Sequence, residues 1–363
     1  IGESDAPMQW RTNDELVYLG QRRGFVELRM ATVRGGQSVA DVPLVGGGRV
    51  VQLFSFANKT GVAVFSTSQS FPEIYASANF ESGPALTKLN PQTATWKLPQ
   101  VKHVTWKGSN GDEVGGILEL PPDYEKGKKL PLIVAIHGGP TTAVTADLQY
   151  DLYDARLLFA SHGYAVFCPN YRGSTGYGDK FTTALVGREN QIEVNDILKG
   201  VDELVAQGIA DPEKMAVMGW SNGGYLTNCL ITGTTRFKAA STGAGMLDNA
   251  MQWGTNDLPS HTMALKQGLP WDKPEAYCKT SPIYSLGKVC TPTLIQVGGN
   301  DERCPPGHSR MLYRALSEFI KVPTELVVYP GEPHGLTTYT HCQSKMEWDL
   351  AWFNRYVLGN RKE

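Results

Sequence analysis

Residues 215–228 read MAVMGWSNGGYLTN. An apolar run ends at Met218 and breaks into Gly219-Trp220-Ser221-Asn222-Gly223-Gly224. The break fits the pattern G-x-S-x-G. Such a serine needs a very sharp strand-to-helix turn, which strains its backbone and lifts its Oγ above the sheet. The flanking glycines are needed because a Cβ there would strike the neighbouring strand and helix. The start of the following helix favours a developing negative charge. Small-residue turns also arise by chance, so the pattern alone is only moderately specific. Here a predicted strand precedes it and a predicted helix follows, so Ser221 reads as a nucleophile rather than part of an ordinary turn.

A serine hydroxyl is a weak nucleophile near neutral pH and needs a base, and the base needs an orienting acid. In α/β-hydrolases these follow in the order Ser, Asp/Glu, His. TLIQVGGNDERCP supplies Asp301 shortly after the apolar Leu294–Val297, and ELVVYPGEPHG supplies His334 in a Pro/Gly-rich loop after the last strand. Competing acids are weaker. Glu302 would point away if Asp301 points inward, Glu332 sits on the base's own loop, and Asp248 follows the strand after the elbow. His103, His162, His261, His308 and His341 lack a strand-end setting and read as surface or structural residues. Ile136–Pro140, IHGGP, closes another predicted strand. A glycine pair there lets the backbone approach a reacting carbonyl. The backbone N–H groups of Gly139 and Asn222 are therefore the expected oxyanion donors, and the His137 ring is expected to brace its loop.

Outward from the elbow, the chain divides into two periodicities. Residues 98–363 alternate apolar runs of strand length with amphipathic helical stretches, which predicts a mainly parallel sheet with helices on both faces. Residues 1–97 alternate apolar and polar positions, with turns every 8 to 12 residues or so, which marks antiparallel sheet. This part repeats loosely about every 40 residues, the length of a propeller blade. About two blades fit, so the predicted propeller is incomplete. Asn90–Gln100 reads as a linker.

Composition sets further bounds. The 363 residues are 41% hydrophobic and 19% charged, with net charge −2. Neither nucleic acid nor an anionic membrane is an expected partner, and no apolar stretch is long enough for a membrane span. None of the six cysteines forms a CxxC pair, and no metal or organic cofactor is expected. Cys168 and Cys229 read as core residues. Cys278, Cys290, Cys304 and Cys342 fall in polar or loop-like segments, where one or two disulfides are open if the protein is exported. The chain starts at Ile1, so the expectation is a removed leader or a longer precursor. Localisation leans periplasmic or secreted, with the cytoplasm left open.

With HGGP, NYRGSTGYG, GWSNGG, GGNDERCPP and YPGEPHG in this order, residues from about 101 to 363 resemble the prolyl oligopeptidase family of serine peptidases, most of all its acylaminoacyl-peptidase branch. The first 97 residues are similar to the last blades of that family's β-propeller. The resemblance implies the fold and the triad Ser221, Asp301 and His334. It also implies that Arg303 holds a substrate backbone carbonyl, while Arg172 reads as a structural ion-pair partner. Leu247, Met251 and Trp253, with Cys304, are the expected residues of an apolar substrate pocket. Two departures stand out. Many relatives carry tyrosine where this chain has Asn222, whose side chain is expected to alter substrate contacts. Most of the gating propeller is also absent, so the missing blades are expected on a separate or nicked chain. The implied substrate is a short peptide. A carboxylesterase on the same fold and a catalytically idle binding scaffold are the rival readings, and a homo-oligomer stays open.

Overall fold

The computed structural model describes residues 8–57, 60–77, 83–149 and 153–359. Two sheets organise them. The first is built from β1 (Gln9–Trp10), β2 (Glu15–Arg22), β3 (Phe25–Arg34), β4 (Gln37–Val45), β5 (Arg49–Ala57), β6 (Thr60–Thr67) and β7 (Ser70–Ser77). β1 to β4 make one antiparallel meander and β5 to β7 a second. One parallel pairing, Val26 with Val50, joins them. Val17, Leu28, Val51, Phe54 and Phe65 form the core of this sheet. β4 is exposed along most of its length. A single helical turn, Pro91–Thr95, lies between the two sheets.

The second sheet contains β8 (Gln100–Lys107), β9 (Glu113–Leu120), β10 (Leu130–Ile136), β11 (Ala165–Asn170), β12 (Ala210–Trp220), β13 (Ala239–Gly243), β14 (Thr293–Gly298) and β15 (Thr324–Tyr329). Their spatial order is β8-β9-β11-β10-β12-β13-β14-β15. β10 to β15 run parallel, and β9 pairs antiparallel with both β8 and β11. The helices are α1 (Arg156–Ser161), α2 (Asp179–Thr182), α3 (Ile192–Ala206), α4 (Asn222–Gly233), α5 (Asn249–Thr255), α6 (Pro259–Lys266), α7 (Pro274–Lys279), α8 (Gly307–Tyr313) and α9 (Tyr339–Tyr356).

The continuous apolar run LPLIVAI explains why β10 lies near the centre. A strand covered on both faces needs no polar alternation. Leu132, Val134 and Ile136 pack with α3 and α4 on one face, while Ile133 and Ala135 pack with Phe159 of α1 and Phe353 of α9 on the other. β12 divides its side chains the same way. The parallel order places the ends of β10, β12, β14 and β15 at one edge, where the motif residues emerge.

Residues 145–148 dock the first sheet onto the second. Ala146 N–H donates to Gly24 O at 2.8 Å and Leu148 N–H to Thr67 O at 2.7 Å. Buried Ser66 donates to buried Asp147 at 2.5 Å. Cys168 and Cys229 are core residues, and no disulfide links the cysteines in the polar segments. Cys304 and Cys342 are instead buried, for Cys304 packs beneath the site and Cys342 lies in the first turn of α9. Among the described residues, no helix is long and apolar enough to cross a membrane.

Candidate active site

The turn between β12 and α4 carries Ser221 at φ +60° and ψ −121°. A non-glycine residue there costs of order 1–3 kcal/mol and persists only where the surroundings enforce it. They do so through close backbone packing. A Cβ on Gly219 would lie 2.5 Å from the Gly223 carbonyl carbon, and one on Gly223 would lie 2.0 Å from Ile136 O. Neither contact leaves room for a side chain.

Three motif residues meet at this turn. His334 Nε2 is 2.9 Å from Ser221 Oγ, and His334 Nδ1 is 2.8 Å from Asp301 Oδ2. Asp301 is buried, and its other oxygen accepts the N–H groups of Arg303 at 2.9 Å and Cys304 at 2.7 Å. The carboxylate is thus fixed from its own loop. Ser221 and His334 are partly open to solvent.

The histidine loop is held at three points. Trp220 Nε1–H donates to His334 O at 2.8 Å. Tyr153 Oη accepts Leu336 N–H. Glu332 accepts Thr337 N–H at 2.7 Å, Thr338 N–H at 3.1 Å and His341 Nδ1–H at 2.6 Å. Burial raises the Glu332 carboxyl, but the hydrogen bonds from Thr338, Thr337 and His341 outweigh it and hold the group at about 2. Glu332 is therefore a loop clamp. Asp248 caps α5, accepting from Ala250 N–H and Met251 N–H, and Glu302 is exposed.

The IHGGP loop runs beside the elbow. A Cβ on Gly138 would lie 3.5 Å from Ser221 Cβ, and Gly139 shares a cavity with Ser221 and Asn222. Asn222 opens α4, so its N–H has no acceptor one turn back within the helix. His137 Nδ1–H donates to Gly138 O at 2.7 Å, Nε2 accepts from Ser174 at 2.9 Å, and the ring stacks on Tyr171 at 4.4 Å. Burial lowers this imidazole to about 4, so it is neutral. The Asn222 side chain is held within the protein: Nδ2 donates to Tyr171 Oη at 2.9 Å, and that hydroxyl donates to His137 O at 3.0 Å. It links the elbow to the glycine loop, which differs from the substrate-contact role expected of it. Arg172 makes a buried two-point pair with Asp196 at 2.8 and 2.6 Å.

A cavity of about 520 Å³ opens at Ser221. Arg303 and Cys304 line it, but Leu247, Met251 and Trp253 are not in its wall. Leu247 is fully buried in the main core. Met251 packs against Gly307, and Trp253 meets Trp271 edge-on at 5.3 Å. The wall instead takes Asn249 and Gln252, on the neighbouring face of α5, and Asn256, which ends it. Their spacing of three and four was visible in the sequence, but which face of so short a helix turns inward was not. Glu189 and His261 also reach the wall from segments without strand-end signals. Arg303 does not stand open: its Nε and a terminal nitrogen bind Asp257 at 2.6 and 3.1 Å.

A serine on a strand-to-helix elbow, aligned with histidine and aspartate at the ends of a mostly parallel sheet, defines the α/β-hydrolase fold class. The chain belongs to the prolyl oligopeptidase family, whose profile matches residues 151–360. A second profile, acetyl xylan esterase (AXE1), matches residues 72–209. The uncharacterized peptidase YuxL of Bacillus subtilis is 30% identical over 72% of this chain and 40% of its own length. Acylamino-acid-releasing enzyme 1 of Oryza sativa subsp. japonica is 34% identical over 62% of this chain and 30% of its own. The acylaminoacyl peptidase of Pyrococcus horikoshii shares the fold, with TM-score 0.84 and 23% identity over 99% of this chain and 58% of that one. A puromycin-hydrolyzing peptidase of Mycobacterium tuberculosis has TM-score 0.82 and 25% identity over 97% of this chain and 53% of that one. This chain therefore spans well under two thirds of the length of each of these relatives. The fold is an α/β-hydrolase unit preceded by β-propeller strands.

Proposed function

We propose that this chain carries the catalytic centre of a serine peptidase that hydrolyses short peptides through an acyl-enzyme. The observation that carries the reading is the alignment Asp301–His334–Ser221, with both links under 3 Å. His334 takes the Ser221 proton as the hydroxyl attacks a peptide carbonyl. Asp301 holds the imidazole tautomer and stabilises its charged form. The amides of Gly139 and Asn222 donate to the oxyanion, where one donor is typically worth about 10²–10³ in rate. His334 then protonates the leaving amine, and water reverses the path. The remaining donor capacity of Arg303 is available to a substrate carbonyl.

The β strands of residues 1–97 act in this reading as part of a gate over the hydrolase unit of residues 98–363. Further blades, on a separate or nicked chain, would complete the gate. A peptide library with N-acetylated, free-amine and proline-containing members decides among endo-, dipeptidyl- and acylaminoacyl-peptidase action. The acetyl xylan esterase match gives the ester reading its own support, although it ends before Ser221. Parallel assays of short peptides and p-nitrophenyl esters separate the two. Peptide turnover that Ser221→Ala abolishes is expected. Rapid ester hydrolysis without peptide turnover would assign the chain to the esterases.

A further inference from the structure

The cavity beside Ser221 sets polar groups of α5 and Glu189 among the apolar side chains of Met246, Leu258 and Leu265. Asn249 and Gln252 sit one turn apart on α5, and both are buried. Each is held by its amide nitrogen. Asn249 Nδ2 donates to Thr280 O at 2.9 Å, and Gln252 Nε2 donates to Arg303 O at 2.7 Å. A backbone carbonyl can only accept, so these partners fix both amide orientations. Gln252 Oε1 is buried and has no hydrogen-bond partner among the described residues.

Among the described residues of the wall, Glu189 supplies the carboxylate, and it is 3% exposed. Lys266 pairs with it from a neighbouring cavity. Glu193 lies close by. Burial and then the Glu189 charge push its carboxyl up to about 8. The wall's own cation, Arg303, is occupied by Asp257, and burial lowers the His261 imidazole.

We infer that Glu189, Gln252 and Asn249 form a subsite for a cationic donor of the substrate, an ammonium or guanidinium group. A carboxylate with two fixed amide oxygens matches a group that carries several N–H donors and accepts nothing. Such a group comes either from a lysine or arginine side chain beside the scissile bond or from a free amino terminus. The subsite rests on the serine-peptidase reading above and replaces the apolar pocket expected at Leu247, Met251 and Trp253.

The test compares kcat/KM for fluorogenic amides carrying acetyl-Lys, acetyl-Arg, acetyl-Leu, acetyl-Phe and unblocked Leu. A fluorophosphonate labelling reaction on the same protein reports Ser221 independently. At least a tenfold advantage of acetyl-Lys or acetyl-Arg over acetyl-Leu assigns the subsite to a basic side chain. The same advantage of unblocked over acetylated Leu assigns it to the terminus. Glu189→Gln and Gln252→Leu should each reduce the favoured ratio at least fivefold. Labelling at Ser221 with acetyl-Leu or acetyl-Phe as good as every cationic substrate overturns the subsite alone, as does an unchanged ratio in a folded Glu189→Gln variant. Absence of labelling overturns the peptidase reading and the subsite with it.

Discussion

Ser221 is held at φ +60° by contacts that leave no space for a side chain on either flanking glycine. Gly223→Ala is the sharpest local test, because its Cβ would sit 2.0 Å from Ile136 O in the central strand. The expected result is loss of turnover together with a clear fall in Tm by calorimetry, since neither β10 nor α4 can yield. Trp220 offers a gentler probe. Trp220→Phe removes the bond to His334 O and leaves an aromatic ring in place. A net hydrogen bond of about 1 kcal/mol corresponds to a fall in kcat of roughly five-fold, with KM little changed in steady-state assays. The alignment of Ser221, Asp301 and His334 was legible in the sequence because each follows an apolar run and sits among glycines or prolines. The partners of Asn222 were not legible. Its contact with Tyr171 spans 51 positions, and no local pattern encodes it.

At the scale of elements, the helices and loops around the site decide what it recognises and how it responds to pH. The first turn of α3 carries Glu193, buried and without a side-chain partner among the described residues. Its carboxyl is raised to about 8 in the folded chain, chiefly by burial, against an ordinary value near 4.5. Between those values the folded protein keeps a proton that the unfolded chain releases. Stability attributable to this group is therefore present below about pH 4.5 and lost as pH rises towards 8. Glu193→Gln should flatten that decline, so the Tm of the variant relative to the parent rises between pH 5 and 8 in parallel melts. Glu332 has the opposite sign. Held at about 2, it contributes stability above its ordinary range that is lost as pH falls towards 2. Glu332→Gln should loosen the 332–338 loop and lower kcat several-fold while leaving α9 folded, as circular dichroism would show. Alternation of strands and helices, and the continuous apolar run of β10, made the second sheet readable. The wall of the cavity was harder. α5 has seven residues, and a rotation of one position exchanges Asn249 and Gln252 for Ala250 and Trp253.

Over the whole molecule, the first sheet is fastened where the chain leaves the glycine loop. Residues 146 and 148 bond to Gly24 and Thr67, and Asp147 receives Ser66. The segment that follows Gly139 is thus shared between the candidate oxyanion site and the sheet that packs beside it. Ser66→Ala leaves the Asp147 carboxylate short of one donor. The cost of about 1–3 kcal/mol for a buried acceptor should appear as a Tm lower by several degrees. The antiparallel character of β1 to β7 was visible from alternation and turn spacing. Its attachment was not, because Ser66 and Asp147 are 81 positions apart.

The central claim is that Ser221 is a nucleophile activated by His334 and Asp301. Incubation with a fluorophosphonate, followed by intact mass and peptide mapping, measures this without any choice of substrate. A single adduct on Ser221 is predicted, absent in Ser221→Ala and formed at least 10²-fold more slowly in His334→Ala, as expected when a general base is lost. No adduct on the parent protein, or equal labelling of Ser221→Ala, would contradict the account.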